Sequence, residues 1–189
     1  MKQVYLDQAI DVNDTLALDL KQAHHIFDVL RTSSKEKIRI VTKSSGVFYG
    51  HVLDKPNLHI DEKLDVLQDS QSITLCCALI KQDKFEWMLQ KACELGVSKI
   101  VPFVSKNTVV KLDEKKAEKK LVRWNEILLA ATKQCNRNTL VELESVVSLK
   151  DLVNYKSECN VVAYEKESDP SKHMAHYLQS NPYSITVCI

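Results

Sequence analysis

The sequence predicts an α/β protein in which a small β-barrel with one helix precedes an open α/β domain. The chain has 189 residues, a length that suits one domain or two small ones. Short alternating segments occupy the chain up to about residue 70, and long apolar strands alternate with amphipathic helices after it. We therefore predict a first domain over residues 1–70 and a second over 71–189.

The first part contains four segments with the alternating pattern of β-strands, separated by turn-like residues: 2–6, 36–42, 46–53 and 57–67. One helix is predicted over 19–31. Its apolar side is predicted to consist of Leu20, Ala23, Phe27 and Leu30. Short strands with a single helix are typical of a small barrel.

The second part begins with a predicted β-α-β unit. Residues 72–80 form an almost unbroken apolar run, as expected of a strand covered on both faces. The helix predicted over 83–95 has an apolar stripe, and Gly96 stands where a terminating glycine belongs. The strand predicted over 98–104 completes the unit, so we expect the two strands to be parallel.

Further helices are predicted over 114–136, near 148–155, and from Asp169–Pro170 to about 179, with a strand over 160–165. The final segment, 184–189, is typical of an interior strand of a parallel sheet. Binding loops of such sheets follow the carboxyl ends of the strands. Because the sequence stops on this strand, we expect the loop after it to be missing from a truncated chain.

Composition excludes several classes of function. The formal net charge of +1 provides no global attraction to nucleic acid or anionic lipid, so any such surface must be local. The chain has 3 glycines, against about 13 expected from average usage. They are too scattered for a Walker loop or a dinucleotide-binding fingerprint.

The 6 cysteines form no C-x-x-C pair and lie mostly in apolar runs, which predicts buried, reduced thiols and a reducing, cytoplasmic compartment. The amino terminus lacks the apolar core of a signal peptide, and the apolar run 75–80 is too short to cross a membrane. Adjacent helical residues diverge by about 100°, so His24 and His25 do not predict a metal site.

Basic residues near the first helix have two interpretations. Arg31, with Lys35, Lys37 and Arg39 close in sequence, can contact phosphate. An ordinary solvated basic rim explains the same residues equally well.

The helix predicted over 83–95 carries Lys84 and Lys91 two turns apart on one face, and a surface pair with Glu94 explains Lys91. At the end of the helix predicted over 114–136, Lys133 and Arg137 complement the helix dipole. Gln134 and Arg137 are also predicted to share a face, from which they can read a phosphate or a base edge.

Three segments follow one another in the order and spacing of a known family. They are HHIFDVLR (24–31), KQDKFEWMLQKACELGVSKIVP (81–102) and RWNEILLAATKQCNR (123–137). Through these segments, essentially the whole chain resembles the RsmE family, whose members are methyltransferases that modify N3 of a uridine in small-subunit ribosomal RNA. The middle segment is the most specific of the three.

The resemblance implies an N-terminal PUA-like barrel that helps to hold RNA and a C-terminal SPOUT domain whose backbone forms a trefoil knot. It also implies a homodimer that uses S-adenosylmethionine, bound in the knot, and acts on the assembled 30S particle. No metal and no membrane partner are implied.

The resemblance also assigns residues. It places one cofactor loop after Tyr164–Glu165 and another after Cys188–Ile189, where the family continues into Gly-Pro-Glu-Gly-Gly. Because this sequence ends there, we expect the knot-forming part to be missing and the chain itself to be inactive. The residues expected to bind RNA are Arg31, Lys84, Lys91, Lys133 and Gln134.

Arg137 is the candidate catalytic residue, as a cation that stabilises the charge developing on a deprotonated uridine. Where the family has a proline shortly after this arginine, the chain has Asn138-Thr139-Leu140. No general base is identified. Two other interpretations are a catalytically silent RNA-binding protein and, less well supported, an α/β enzyme acting on a small molecule.

Overall fold

The chain forms two compact units in a computed structural model that describes residues 2–42, 46–66, 71–106, 108 and 114–189. The first unit consists of Met1–Gln68 and Arg137–Thr139. The second consists of Asp69–Asn136 and Leu140–Ile189. The short segment 137–139 therefore belongs with the first unit, although the residues on either side of it belong with the second.

The first unit contains a five-stranded sheet in the order β1-β3-β4-β5-β2. Its strands are β1 (Gln3–Leu6), β2 (Thr15–Ala17), β3 (Ile38–Thr42), β4 (Gly46–Val52) and β5 (Asn57–Leu64). The β1–β3 pair is parallel and the remaining pairs are antiparallel. The four predicted strands are confirmed, and β2 is an additional strand too short to show an alternating pattern.

The predicted helix of the first unit changes type along its length. It begins as α1 (Leu20–Ala23) and continues as a π-helix over His24–Val29, in which the Leu30 amide donates to the His25 carbonyl over 2.9 Å. The prediction that Leu20 joins the apolar side is wrong, since its side chain is 92% exposed. Hydrogen bonds spanning five residues change the angular spacing of side chains, and Ile26 is buried instead.

The second unit contains a six-stranded sheet in the order β10-β11-β6-β7-β8, with β9 also paired to β7. Its strands are β6 (Ser72–Ala78), β7 (Lys99–Val104), β8 (Glu142–Leu143), β9 (Val147–Ser148), β10 (Cys159–Val162) and β11 (Ser184–Cys188). Every pairing in this sheet is parallel. The predicted β-α-β unit and the interior position of the last strand are confirmed.

The helices of the second unit are α2 (Gln82–Glu94), α3 (Glu114–Gln134) and α4 (Met174–Leu178), with 3-10 helices over Leu149–Tyr155 and Pro170–Lys172. The helix expected from Asp169 to about 179 is interrupted at His173, whose backbone is extended and whose ring Nδ1 accepts from the Ala175 amide. The helix expected to reach residue 136 ends at Gln134, because Asn136 adopts a left-handed backbone with φ of 53°.

Each face of the second sheet packs against a different set of elements. On one face, Phe85 and Leu89 of α2 and Trp124 and Leu128 of α3 belong to a single apolar core. The Phe85 and Trp124 rings lie 4.6 Å apart between centroids. On the other face, a smaller core includes Cys76 and residues of the Leu149–Tyr155 helix. Within the described residues, no helix is both long and apolar enough to span a membrane.

Gly50 and Gly96 are each required by this fold, for different physical reasons. A Cβ at Gly50 would overlap the main-chain oxygen of His59 and lie 2.6 Å from Cδ1 of Ile40. At Gly96, φ is +95° but nothing lies within 4 Å of the added atom. Gly50→Ala is therefore a problem of packing, and Gly96→Ala is a problem of backbone strain alone.

We expect Gly50→Ala to lower the free energy of unfolding by about 3 kcal/mol, because a main-chain oxygen cannot move aside. Gly96→Ala should lower it by about 1 kcal/mol. Urea denaturation followed by circular dichroism measures both. A loss for Gly96→Ala as large as that for Gly50→Ala would contradict this assignment.

Candidate functional site

The carboxyl ends of three neighbouring strands meet at one edge of the second sheet. In register, Val162 of β10 pairs with Cys188 of β11, which pairs with Cys76 of β6. The alignment continues past the strands, since the Ala163 amide donates to the Cys188 carbonyl over 2.8 Å. Ligands of parallel sheets bind at this type of edge.

A pocket of about 440 Å³ lies at the carboxyl end of β10. Its lining joins the last residues of the strand to the segment that carries the 3-10 helix Pro170–Lys172. The lining residues are Val161, Val162, Ala163, Tyr164, Glu167, Ser168, Asp169, Pro170, Lys172, His173 and Met174. An apolar wall thus faces a polar, charged rim.

Two carboxylates hold the rim of this pocket. Asp169 Oδ1 accepts from the Ser171 amide over 2.9 Å and from the Ser171 hydroxyl over 2.7 Å, which caps the 3-10 helix. Glu167 Oε1 accepts from the Asp169 amide over 3.0 Å, and its Oε2 lies 3.2 Å from Lys172 Nζ. Hydrogen bonds and an ion pair among the rim residues therefore hold the rim in place.

The same contacts keep both carboxylates ionised. The bonds from the Ser171 side chain and amide lower the pKa of Asp169. The Asp169 amide and the Lys172 ammonium lower the pKa of Glu167. The pocket therefore presents negative charge beside an apolar wall at neutral pH.

The thiols at this edge are poor nucleophiles. Burial raises the pKa of Cys76 to about 11, and burial also raises the pKa of Cys188. Both thiols are therefore protonated at neutral pH. Because only an ionised thiol attacks as a nucleophile, these two side chains contribute packing instead.

The candidate cofactor residues occupy this edge in different ways. Because β10 ends at Val162, Tyr164 and Glu165 lie in the loop after the strand. Tyr164 lines the pocket, whereas Glu165 is not among its lining residues. Cys188 ends β11, and the Ile189 carbonyl accepts from the Ala78 amide over 3.1 Å.

Among the candidate RNA-binding residues of the second unit, Lys84, Lys133 and Gln134 are exposed. Lys91 is half-buried, and its Nζ lies 2.7 Å from Glu94 Oε2, which confirms the predicted surface pair. The prediction that Gln134 and Arg137 share a helical face is wrong. Helix α3 ends at Gln134, and Arg137 belongs to the first unit.

In the first unit, Arg31 is exposed and adopts a left-handed backbone with φ of 46°. The prediction that Arg39 joins it in contacting phosphate is wrong. Arg39 is buried, and its guanidinium donates to the Arg137 carbonyl and the Asn138 side chain. Lys37 Nζ lies 2.9 Å from Glu62 Oε1 in a surface ion pair.

The sequence did not indicate Glu167 or Asp169 as candidates for a site, and it did not indicate that Arg39 is buried. Asp169–Pro170 was identified only as the start of a helix. Its position shortly after a predicted parallel strand is the signal that could have indicated the pocket. Nothing local distinguishes Arg39 from an exposed residue of an alternating strand.

The parallel sheet and its flanking helices form an α/β fold with a pocket at the carboxyl edge of the sheet. A 24% identical methyltransferase from Legionella pneumophila, in complex with S-adenosylmethionine, has this fold, with a TM-score of 0.81 over 99% of this chain and 78% of that one. A family model described as RNA methyltransferase domain matches residues 68–189, and the chain belongs to this family.

Curated relatives narrow the family further. Ribosomal RNA small subunit methyltransferase E of Bacillus subtilis is 32% identical over 169 residues, which cover 85% of this chain and 66% of that protein. A Neisseria gonorrhoeae protein of the same name, bound to S-adenosyl methionine, is 26% identical, with a TM-score of 0.81 over 100% of this chain and 79% of that one. The resemblance to the RsmE family is confirmed.

The match covers only part of these relatives. The aligned segments span 66%, 60% and 58% of the lengths of three curated relatives, from Bacillus subtilis and two strains of Buchnera aphidicola.

One ion pair joins the helices that carry the basic candidates of the second unit. Arg123 of α3 makes a two-pronged contact with Glu86 of α2, with distances of 2.6 Å and 2.7 Å. The Arg123 guanidinium lowers the pKa of Glu86. The pKa of Glu86 is therefore lower in the folded protein than in the unfolded chain. The ion pair stabilises the folded state fully at pH values above the unfolded pKa, and this stabilisation is lost as the pH falls through the folded pKa.

Glu86→Gln should therefore lower the free energy of unfolding at pH 7, and the difference from wild type should shrink as the pH falls below about 4. Urea denaturation followed by the fluorescence of Trp87 and Trp124, which lie on α2 and α3, measures it. Glu118→Gln, on an exposed position of α3, is the matched control. A difference that is the same at pH 3 and pH 7 would exclude the ion pair as its cause.

Proposed function

We propose that this protein transfers a methyl group from S-adenosylmethionine to N3 of a uridine in small-subunit ribosomal RNA within the 30S particle. The observation that carries the proposal is the pocket at the carboxyl end of β10, in a domain of the RNA methyltransferase family. The curated relatives named as small-subunit methyltransferases support the substrate, and the Neisseria gonorrhoeae protein supports the cofactor.

The chemistry of the pocket suits S-adenosylmethionine. A volume of about 440 Å³ lies in the range of small-molecule sites. The Val162, Ala163 and Met174 side chains offer apolar contacts to a purine ring and methylene groups. The ionised Asp169 and Glu167 offer acceptors to ribose hydroxyls and to an ammonium group. In the proposed site, Tyr164, Glu165, Cys188 and Ile189 bind the cofactor together with residues of the RsmE glycine-rich segment.

In the proposed function, both units contact RNA through different residues. The first unit, as a PUA-like barrel, holds RNA through Arg31, and the second unit, as a SPOUT domain, adds Lys84, Lys91, Lys133 and Gln134. These residues contact phosphates and position the strand. The proposed protein acts in the cytoplasm as a homodimer.

The reacting uridine needs help to become a nucleophile. Its N3 carries a proton, and loss of that proton leaves negative charge spread over N3 and the two carbonyl oxygens. The positively charged Arg137 guanidinium stabilises this charge. When bound, S-adenosylmethionine supplies a methyl group on a positively charged sulfur, which leaves as a neutral sulfide.

In a chain that includes the RsmE glycine-rich segment, Arg137→Ala should lower kcat for methyl transfer to 30S particles by about 10²-fold, the loss typical of removing one electrostatic contact to a developing anion. The measurement is the incorporation of tritiated methyl groups into the RNA. Arg123→Ala is the matched control, because Arg123 forms a surface pair with Glu86. Turnover of Arg137→Ala close to wild type would refute the assigned role.

In a chain that includes the RsmE glycine-rich segment, Asp169→Ala should raise the Kd for S-adenosylmethionine by about tenfold, since the substitution removes charge from the rim and releases the Ser171 contacts. Titration calorimetry measures the Kd. The matched control is Asp151→Ala, which removes a carboxylate that accepts from the Ser148 amide and hydroxyl at the start of the Leu149–Tyr155 helix. Equal affinity of Asp169→Ala and wild type would place the cofactor elsewhere.

The same titration tests the proposed role of the glycine-rich segment. It compares residues 1–189 with the protein translated through any in-frame sequence after Ile189. We expect the longer chain to bind S-adenosylmethionine and the shorter one to bind it weakly or not at all. A longer chain that binds 30S particles but no cofactor would instead support a catalytically silent RNA-binding protein.

A further inference from the structure

Strands β1 and β3 carry buried polar side chains on the face opposite their apolar core. Val4 and Leu6 of β1, with Ile38 and Ile40 of β3, belong to the core of the first unit. Successive side chains of a strand point to opposite faces. The intervening residues Gln3, Tyr5 and Arg39 therefore share the other face, and all three are buried, with Tyr5 7% and Arg39 6% exposed.

A buried guanidinium is costly unless acceptors replace its water. In the part of the chain that the structure describes, the acceptors of Arg39 come from a segment 98 residues away. Nη1 donates to the Arg137 carbonyl over 3.4 Å, and Nη2 donates to the Asn138 side-chain oxygen.

The Arg137 carbonyl receives a second donor from the neighbouring strand. The Tyr5 hydroxyl donates to it over 3.1 Å, and the Gln3 side-chain amide donates in turn to the Tyr5 oxygen. Side chains from two strands thus donate to the Arg137 carbonyl, and a third hydrogen bond, from Arg39, reaches the side chain of Asn138. We call Gln3, Tyr5 and Arg39, with the carbonyl of Arg137 and the side chain of Asn138, the Arg137 anchor.

We infer that Tyr5 and Arg39 are positioning residues that place Arg137 for methyl transfer. The inference rests on the proposed function, in which the Arg137 side chain stabilises charge on the uridine. An electrostatic contact is effective only when the charged group is held in place before the reaction. The anchor contacts the main chain of Arg137, whereas the guanidinium, which donates to the Thr139 hydroxyl over 3.4 Å, is the group that stabilises charge in the proposed function.

The sequence around the anchor fits this role. Helix α3 ends at Gln134, and Asn136, directly before Arg137, has a left-handed backbone, so Arg137 lies outside the helix. Asn138 supplies an oxygen to Arg39. Contacts from β1 and β3 therefore hold a segment that follows the helix and is not part of it.

The first experiment does not depend on activity. Trypsin cleaves after arginine in segments that detach from the fold, so the rate of cleavage at the Arg137–Asn138 bond reports how firmly the segment is held. We expect Tyr5→Phe and Arg39→Lys to raise this rate about tenfold, since each removes or weakens a hydrogen bond to the segment. Tyr49→Phe, on β4, is the matched control and should cleave like wild type. Unchanged cleavage in both variants would overturn the inference.

The second experiment separates positioning from general stability. With 30S particles and S-adenosylmethionine, Tyr5→Phe should lower kcat about tenfold and leave the Kd for S-adenosylmethionine unchanged. In the Arg137→Ala background, Tyr5→Phe should cause no further loss, because it acts through Arg137. Losses that multiply in the double variant would assign Tyr5 a purely structural role and overturn the inference.

The two failures are distinguishable. The activity assays use a chain that includes the RsmE glycine-rich segment. Absence of methyl transfer by its wild-type form contradicts the proposed function, whereas the cleavage assay reports on the anchor in either case. Arg39→Lys retains the charge but loses the fork that reaches two acceptors, so it should behave like Tyr5→Phe in both assays.

Discussion

The insertion of β11 between β10 and β6 is the constraint on which the rest of the second unit depends. Parallel pairing on both sides of β11 sets β10 and β6 in a common register. Ile185 and Thr186 are buried in this position, and the Thr186 hydroxyl donates to the Tyr155 carbonyl over 2.7 Å. Without β11, the end of β10 would have no fixed place relative to β6, and the pocket edge would not form.

Several cations of this chain are neutralised by neighbouring carboxylates. Many of its cations are matched locally, as in the pairs Lys2–Glu36, Lys37–Glu62, Lys91–Glu94, Lys99–Glu142 and Arg123–Glu86. Such pairs neutralise surface charge without creating a long-range field. If the protein binds RNA as proposed, a few local cations must therefore provide the contact, because the net charge does not.

The regular elements were predictable because their signals are local. The apolar stripe of α2, the terminating glycine after it and the apolar runs of β6 and β11 each follow from spacing within about a dozen residues. The π-helix over His24–Val29 and the two-residue strands β8 and β9 have no such signal. Their form depends on packing against distant residues, which periodicity does not record.

The candidate site shows the same division. Tyr164 and the edge beyond β10 could be indicated from strand order and family resemblance, whereas the buried position of Arg39 could not. Alternation along β3 predicts a residue facing away from the core, and such a residue is normally solvated. The burial of Arg39 depends on the segment that begins at Arg137, 98 residues later, and no local pattern in β3 indicates that contact.

The course of the chain has a consequence for synthesis on the ribosome. The first unit is not a continuous stretch, because it needs Arg137–Thr139 in addition to its first 68 residues. A nascent chain that has completed β5 therefore still lacks the Arg137 carbonyl, to which Tyr5 and Arg39 donate in the folded protein. The first unit can reach its final form only after α3 has been translated, so the last step of its folding is tied to the synthesis of the second unit.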